Sequence, residues 1–218
     1  MKALKLFLDR LLDHASQDPA RANINGVFFG ANIVATDGHR MCLLDTAAAP
    51  FSVPSMIVVP RRWLATLRET LKDPAAQPSV SAQDDDISFT DGDLTVLTKY
   101  YTAMKFPPYA QVIPATKAFR VQVPRIALAR AIDTRATYKL TFESKSLNVT
   151  PEKEYQPVTL PIDGGPDATF TIGVNGGYLS DALRGRKEKL VSIACTGEYD
   201  PIDVDGEGFR VIIMPVRL

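Results

Sequence analysis

Cysteine and histidine are scarce in this chain, which has only Cys42 and Cys195 and two histidines, His14 and His39. So few thiols and imidazoles exclude a disulfide framework and a Cys/His-rich metal site. Both cysteines sit inside apolar runs, which suits buried thiols in a reducing compartment; their spacing leaves a disulfide between them open. An excess of one charge is also missing, since Lys+Arg and Asp+Glu both count 25 and the formal net charge is zero. No global basic field can then hold the chain on nucleic acid, and any such contact needs a local basic face. No apolar run approaches the ~18 residues of a membrane-spanning helix. The N-terminal segment MKALKLFLDRLLDH carries Asp9 and no small-residue cleavage site, so it does not read as a signal peptide. A cytoplasmic protein without a membrane partner is expected. There is no Gly-Lys-Ser/Thr phosphate loop, no HExxH and no nucleophile elbow. No cofactor, metal or catalytic residue is expected.

What is present is enough apolar material for two cores. The chain has 218 residues, and domains usually run ~100 to 150. Hydrophobic residues make up 45% and charged residues 23%, the usage of ordinary globular proteins, so the chain should fold. Leu4, Phe7, Leu8, Leu11 and Leu12 recur at helical spacing, with Lys5, Asp9 and Arg10 on the other side. From Val27 to Leu44 the pattern is strand, turn and strand, with Gly30-Ala31-Asn32 as a hairpin loop and a second turn signal at Asp37-Gly38. Met56 to Val59 is a short apolar strand. Pro60 then opens a helix from about Arg61 to Lys72, as proline does well in a first helical turn. Trp63, Leu64, Leu67 and Leu71 share one stripe of it, while Arg61, Arg62, Arg68 and Lys72 cluster elsewhere. Asp91-Gly92 between Ile87-Ser88-Phe89 and Leu94-Thr95-Val96 signals a hairpin.

Past Pro107, Pro108 and Pro114 the pattern restarts. Phe119, Val121 and Val123 alternate, and Pro124 opens a helix to about Arg135, so the join Val59-Pro60-Arg61 recurs as Val123-Pro124-Arg125. Tyr138, Leu140 and Phe142 pair with Leu147 and Val149 across Glu143 to Ser146. Strands follow at Val158 to Ile162 and Phe170 to Ile172, then a helix from about Gly177 to Arg186 and two final strands. Each half thus offers about two helices and several strands, an approximate duplication. The expectation is an α+β fold in two domains, 1–115 and 116–218.

The run Ile33-Val34-Ala35-Thr36-Asp37-Gly38-His39-Arg40 resembles the ATDGHR segment of the beta subunit of bacterial DNA polymerase III. Lys105-Phe106-Pro107-Pro108-Tyr109 with Val112-Ile113-Pro114 is similar to that family's FPDY…V-L-P segment. Val174-Asn175, Tyr178-Leu179 and Asp181-Ala182-Leu183 resemble its F-N-x-x-Y-L-x-D-x-L stretch, and Val211 to Leu218 its terminal V-M-P-M-R-L. These matches are collinear and span nearly the whole chain. They cover the middle and last of that family's three domains, so a shortened, two-domain form lacking the first is expected.

The resemblance implies a sliding clamp: domains of two helices packed on antiparallel strands, assembled in a ring around double-stranded DNA. Known rings of this kind contain six domains, so two per chain imply a head-to-tail homotrimer, or a tetramer if the angle of the heterologous interface changes. A clamp holds DNA by topology and needs only weak, sequence-independent phosphate attraction. The DNA-facing candidates are Arg21, Arg61, Arg62, Arg68, Lys72, Arg125, Arg130, Arg184, Arg186 and Lys187. The resemblance also implies a pocket for short peptides of polymerases, clamp loaders and repair proteins. Its lining transfers to Ile24, Thr36, Gly38, His39, Arg40, Met41, Pro107, Val112, Tyr178, Ile212, Ile213, Met214, Pro215 and Val216. Ile, Val and Met suit a soft apolar trough, while Gln111 stands where the family often has a basic residue. Two rivals remain. One is an enzyme using His39 as base with Asp37 as its orienter; the other is a clamp-like decoy that binds clamp partners without encircling DNA.

Overall fold

A computed structural model describes residues 3–49, 56–70, 79–91, 93–100, 106–153, 156–206 and 208–218. The chain divides into two compact units, Met1–Pro108 and Tyr109–Leu218. Among the described residues no helix is long and apolar enough to cross a membrane.

The first unit contains α1 (Ala3–His14), β1 (Gly26–Phe29), β2 (Asn32–Thr36), β3 (Arg40–Asp45), β4 (Ile57–Pro60), α2 (Arg61–Thr70), β5 (Ser79–Gln83), β6 (Asp86–Asp91) and β7 (Leu94–Lys99). Strands β4, β1, β2 and β3 neighbour one another in that order, all antiparallel. The expected single hairpin over Val27 to Leu44 is in fact two hairpins, because both turn signals are used. The leucine stripe of α1 (Leu4, Phe7, Leu8, Leu11 and Leu12) is buried and packs on β2, β3 and α2. Each such side chain contributes roughly 1.5 to 3 kcal/mol on burial. Helix α2 buries Trp63, Leu64 and Leu67, and the Trp63 ring meets Phe89 of β6 edge-on at 4.5 Å. That packing ties the helix to the second sheet, β5-β6-β7. Strand β5 carries no strong sequence signal because its residues alternate between exposed and half-buried. Leu71, Lys72, Gly92 and Lys105 lie outside the described residues.

The second unit contains β8 (Phe119–Pro124), α3 (Arg125–Arg130), β9 (Thr137–Phe142), β10 (Ser146–Pro151), β11 (Val158–Pro161), β12 (Phe170–Asn175), α4 (Gly176–Leu183), β13 (Leu190–Cys195), β14 (Ile202–Gly206) and β15 (Phe209–Ile213). One antiparallel sheet runs β15-β14-β13-β8 and the other β11-β10-β9-β12. Phe119 of β8 joins the two, its ring centroid 5.2 Å from Phe142 and 5.0 Å from Phe170. Three strands rather than two close the unit. Helix α3 stops at Arg130, short of Arg135, where Tyr138 Oη accepts from the Asp133 N–H at 2.6 Å. Helix α4 stops at Leu183, because Arg184 is its cap and Gly185 follows at φ 69°, the left-handed position that glycine fills past a helix end.

Both units repeat one joint: a strand ending in proline feeds arginine into a helix. The first helical N–H is taken each time by a neighbouring carbonyl, Arg61 N–H by Asn25 at 3.1 Å and Arg125 N–H by Lys189 at 3.0 Å. Cys42 and Cys195 are both buried thiols, so the disulfide left open by the spacing is not made. Burial pushes the Cys195 thiol up to about 12.

Candidate functional site

The turn from Thr36 to Arg40 satisfies its own backbone. Asp37 Oδ1 accepts from the N–H of His39 at 2.9 Å and of Arg40 at 3.0 Å, an Asx arrangement. Its second oxygen takes the Arg40 guanidinium at 3.0 Å. Thr36 Oγ1 donates to the Arg40 carbonyl at 2.7 Å and accepts from the Gly38 N–H at 3.0 Å. Gly38 sits at φ 92°, where a side chain would be strained. Arg21 braces the turn from outside, donating to the Asp37 carbonyl at 2.7 Å, and Arg40 reaches the Asp13 carbonyl at 2.5 Å. The Asp37 carboxylate thus accepts from two backbone N–H groups and from the Arg40 guanidinium.

Around that turn Thr36 and Arg40 are half-buried, Gly38 and His39 exposed, and Pro107 half-buried. Ile24 and Met41 are core residues of the first unit. In the second unit Ile212 and Ile213, on the buried end of β15, are likewise core. All four are buried, each 4% exposed or less. The accessible members of the second unit are Val112, 46% exposed, Met214, 39% exposed, and half-buried Tyr178, Pro215 and Val216. The segment from Met214 to Leu218 is held on β12 by Val216 N–H donating to the Gly173 carbonyl at 3.1 Å. Gly173 is required there: a Cβ on it would lie 2.2 Å from the Val216 carbonyl oxygen. Tyr178 is placed by the start of α4, where Asn175 Oδ1 accepts from its N–H at 3.1 Å, a side-chain N-cap.

The basic candidates sort by what already holds them. Arg68 pairs with Asp9 across α1 and α2. Arg61 points a guanidinium nitrogen at the Leu12 carbonyl, 3.4 Å away, and Arg125 donates to the Glu188 carbonyl at 2.8 Å. Arg184 is exposed and pairs with Asp181 at 2.5 Å. Arg62, Arg130 and Lys187 are exposed and make no ion pair among the described residues.

Arg186 corrects the expectation of a DNA-facing cation. It is 4% exposed, turned inward by Gly185, and donates to the carbonyls of Ala182 at 2.7 Å, Val204 at 3.2 Å and Phe209 at 3.0 Å. It also pairs with Glu188 at 2.9 Å and lies over the Phe209 ring at 4.6 Å. Glu188, though disfavoured by partial burial, is held below its ordinary pKa by backbone N–H groups and Arg186. Arg186 is a structural staple and cannot face DNA. Replacing it by alanine strands those carbonyls and the Glu188 carboxylate, and is expected to cost about 3 kcal/mol, read as a lower urea midpoint.

Sequence reasoning missed the loop between β13 and β14. Glu198 and Tyr199 there flank a cleft with Thr171, Gly173, Arg217 and Leu218. The signal available was the turn-rich run Thr196-Gly197-Glu198-Tyr199-Asp200-Pro201. Among the described residues no group of His, Cys, Asp and Glu could hold a metal ion.

No protein-family model matches the chain. Curated relatives do: the beta sliding clamp of Caulobacter vibrioides is 25% identical over 245 residues, covering 97% of this chain and 64% of the relative. A crystal structure of the DNA polymerase III subunit beta from Pseudomonas aeruginosa is 25% identical with TM-score 0.78, over 98% of this chain and 65% of that one. The Helicobacter pylori beta clamp, solved bound to a DNA ligase peptide, shares the fold at TM-score 0.82 and 17% identity over 99% of this chain and 63% of that one. The chain thus spans a little under two thirds of the length of the proteins it matches. Its helices on antiparallel sheets are the sliding-clamp fold.

Proposed function

We propose that this chain, a relative of the bacterial beta sliding clamps, is itself a clamp that encircles duplex DNA and tethers replication and repair proteins by short peptides. The observation that carries the reading is that one clamp fold accounts for nearly the whole chain, with Gly38, His39 and Met214 of the clamp-like motifs exposed. The Thr36–Arg40 turn is closed by its own hydrogen bonds with Gly38 and His39 exposed, and Val216 is tied to β12 next to exposed Met214. The pinned Met214 and Tyr178 offer an aliphatic and an aromatic face of the kind that receives apolar peptide anchors.

Ring closure fits the sheet edges. Strands β7 and β11 each end a sheet and expose apolar side chains, Leu97 at 63% and Val158 at 47%. Edges that pair with no further strand among the described residues favour pairing with another chain, and a head-to-tail pairing of one edge with the other propagates to a closed homotrimer, or a tetramer at a wider angle.

A neutral chain must hold DNA locally. Replacing Arg62, Arg130 and Lys187 together by glutamate is expected to cut affinity for duplex DNA at low salt by tenfold or more. The salt dependence should flatten as well, by about one unit of slope for each phosphate no longer neutralised. Arg186→Met leaves that affinity unchanged. Equal binding of the triple variant, measured by fluorescence anisotropy, would remove these residues from the DNA face. The peptide reading is tested by titrating a labelled pentapeptide of the Gln-Leu-x-Leu-Phe type onto the full chain. Micromolar binding supports it, and no binding at about 1 mM contradicts it.

A further inference from the structure

The two units share a longer pattern than the proline-arginine joint. In each, the helix after that joint is followed by an antiparallel meander of three strands, β5-β6-β7 after α2 and β9-β10-β11 after α3. In the second unit a fourth strand, β12, pairs with β9 on the side away from β10, and Tyr138, Leu140 and Phe142 of β9 are buried. In the first unit no strand pairs with the matching side of β5 among the described residues. The core registers the difference. Val80 and Ala82 lie opposite Phe89 and Ile87 of β6, which are 1% and 0% exposed, yet Val80 and Ala82 are only half-buried. Their backbone groups are open as well. The two-residue turn Asp84-Asp85 makes Gln83 and Asp86 the bonded pair that closes the hairpin. By alternation Val80 and Ala82 then aim their N–H and C=O away from β6. Ser79–Gln83 carries neither the charge nor the proline that blunts an edge against pairing.

We propose that the β5 edge takes up an extended segment of a partner protein as a fourth strand, antiparallel to β5, in the place that β12 fills beside β9. Strand addition supplies affinity from the backbone, and side chains at alternate positions supply the choice of partner. Register sets their chemistry. Residues opposite Val80 and Ala82 share the core-side face and are β-branched and apolar, as Ile172 and Val174 of β12 are opposite Leu140 and Tyr138. Residues opposite the exposed Ser79, Ser81 and Gln83 face solvent and are small and polar. An antiparallel strand begins beside the far end of β5. There Asp84 and Asp85 are exposed and make no ion pair among the described residues, so the first residue of the segment is a cation. The site uses none of the residues of the proposed peptide pocket or DNA face and stands independently of both readings.

The probe is the peptide Lys-Val-Thr-Val-Thr-Val, N-acetylated and labelled at its C-terminus, titrated onto the full chain by fluorescence anisotropy. It is expected to bind with a dissociation constant below about 100 μM. N-methylation of its first two valines, which blocks main-chain pairing with Ala82 and Val80, weakens it about tenfold or more. Ala82→Pro, which removes an outward N–H and is tolerated on an edge strand, weakens it to the same extent. Moving the lysine to the C-terminal end, or the double variant Asp84→Asn, Asp85→Asn, weakens it about three- to tenfold. Amide hydrogen exchange at Val80 and Ala82 slows when the peptide is bound. No binding at about 1 mM, equal binding of the N-methylated or lysine-shifted peptide, or unchanged exchange at Val80 and Ala82 overturns the proposal. So does protection of these two amides in the protein alone: protection lost on dilution assigns the edge to a second copy, and protection kept on dilution assigns it to the chain itself.

Discussion

Deleting Met214 to Leu218 is expected to abolish binding of the Gln-Leu-x-Leu-Phe pentapeptide, a loss of a hundredfold or more, or about 2.7 kcal/mol. The deletion removes Met214, Pro215 and Val216 from the accessible apolar surface and leaves β15, which ends at Ile213, with its pairing to β14 intact. Stability therefore changes little, because among the described residues the backbone of the segment is tied to β12 by the isolated bridge from Val216 to Gly173. A second route leads to the same outcome without shortening the chain. Gly173→Ala places a Cβ on the Val216 carbonyl and lifts the segment off β12, so peptide affinity falls in a protein that still folds. Full affinity in the truncated protein would move the peptide site elsewhere.

The largest loss of stability is expected at Asp203. Its side chain is fully buried; Arg210 grips it through both carboxylate oxygens at 2.8 and 2.7 Å, and Lys117 Nζ lies 3.0 Å away. Burial opposes the charge, yet the Arg210 guanidinium and the Lys117 ammonium hold the Asp203 carboxyl below its ordinary value. Asp203→Ala leaves two cations facing each other without their counter-ion and is expected to destabilise the unit by about 3 to 5 kcal/mol. A carboxyl depressed in the folded state contributes stability above its unfolded pKa of about 3.9, and that contribution fades as pH falls below it. Chemical denaturation from neutral pH down to about pH 3 should thus show the wild-type protein losing stability below about pH 4 more steeply than Asp203→Asn. Parallel curves would contradict this role for Asp203.

Much of the fold is legible in the sequence because its signals are local. The α1 stripe, the two turns after β1 and β2, and the proline-arginine joints before α2 and α3 each need only a few neighbouring residues. The misses have non-local causes. Strand β5 is built from small residues at an open edge, and α4 is cut short by the left-handed glycine at 185. The closing apolar run that reads as two strands is three, because the loop at Gly197 and the turn at Gly208, with φ 67°, break it. At the surface, the charge on Arg186 is plain from its residue type, but not the three carbonyls that converge on it from α4, β14 and β15. Ile212 and Ile213 likewise stand in a matching motif that does not tell that both are buried, on opposite faces of β15. The Thr36–Arg40 turn is readable as a motif, and only the hydrogen bonds reveal that Asp37 serves the backbone.

Whether two such units per chain close a ring is the central claim, and the mass of the native assembly in solution by light scattering tests it most directly. Closure predicts about 72 kDa for three chains of 23.9 kDa, or about 96 kDa for four. A species of about 24 or 48 kDa at micromolar concentration would contradict it.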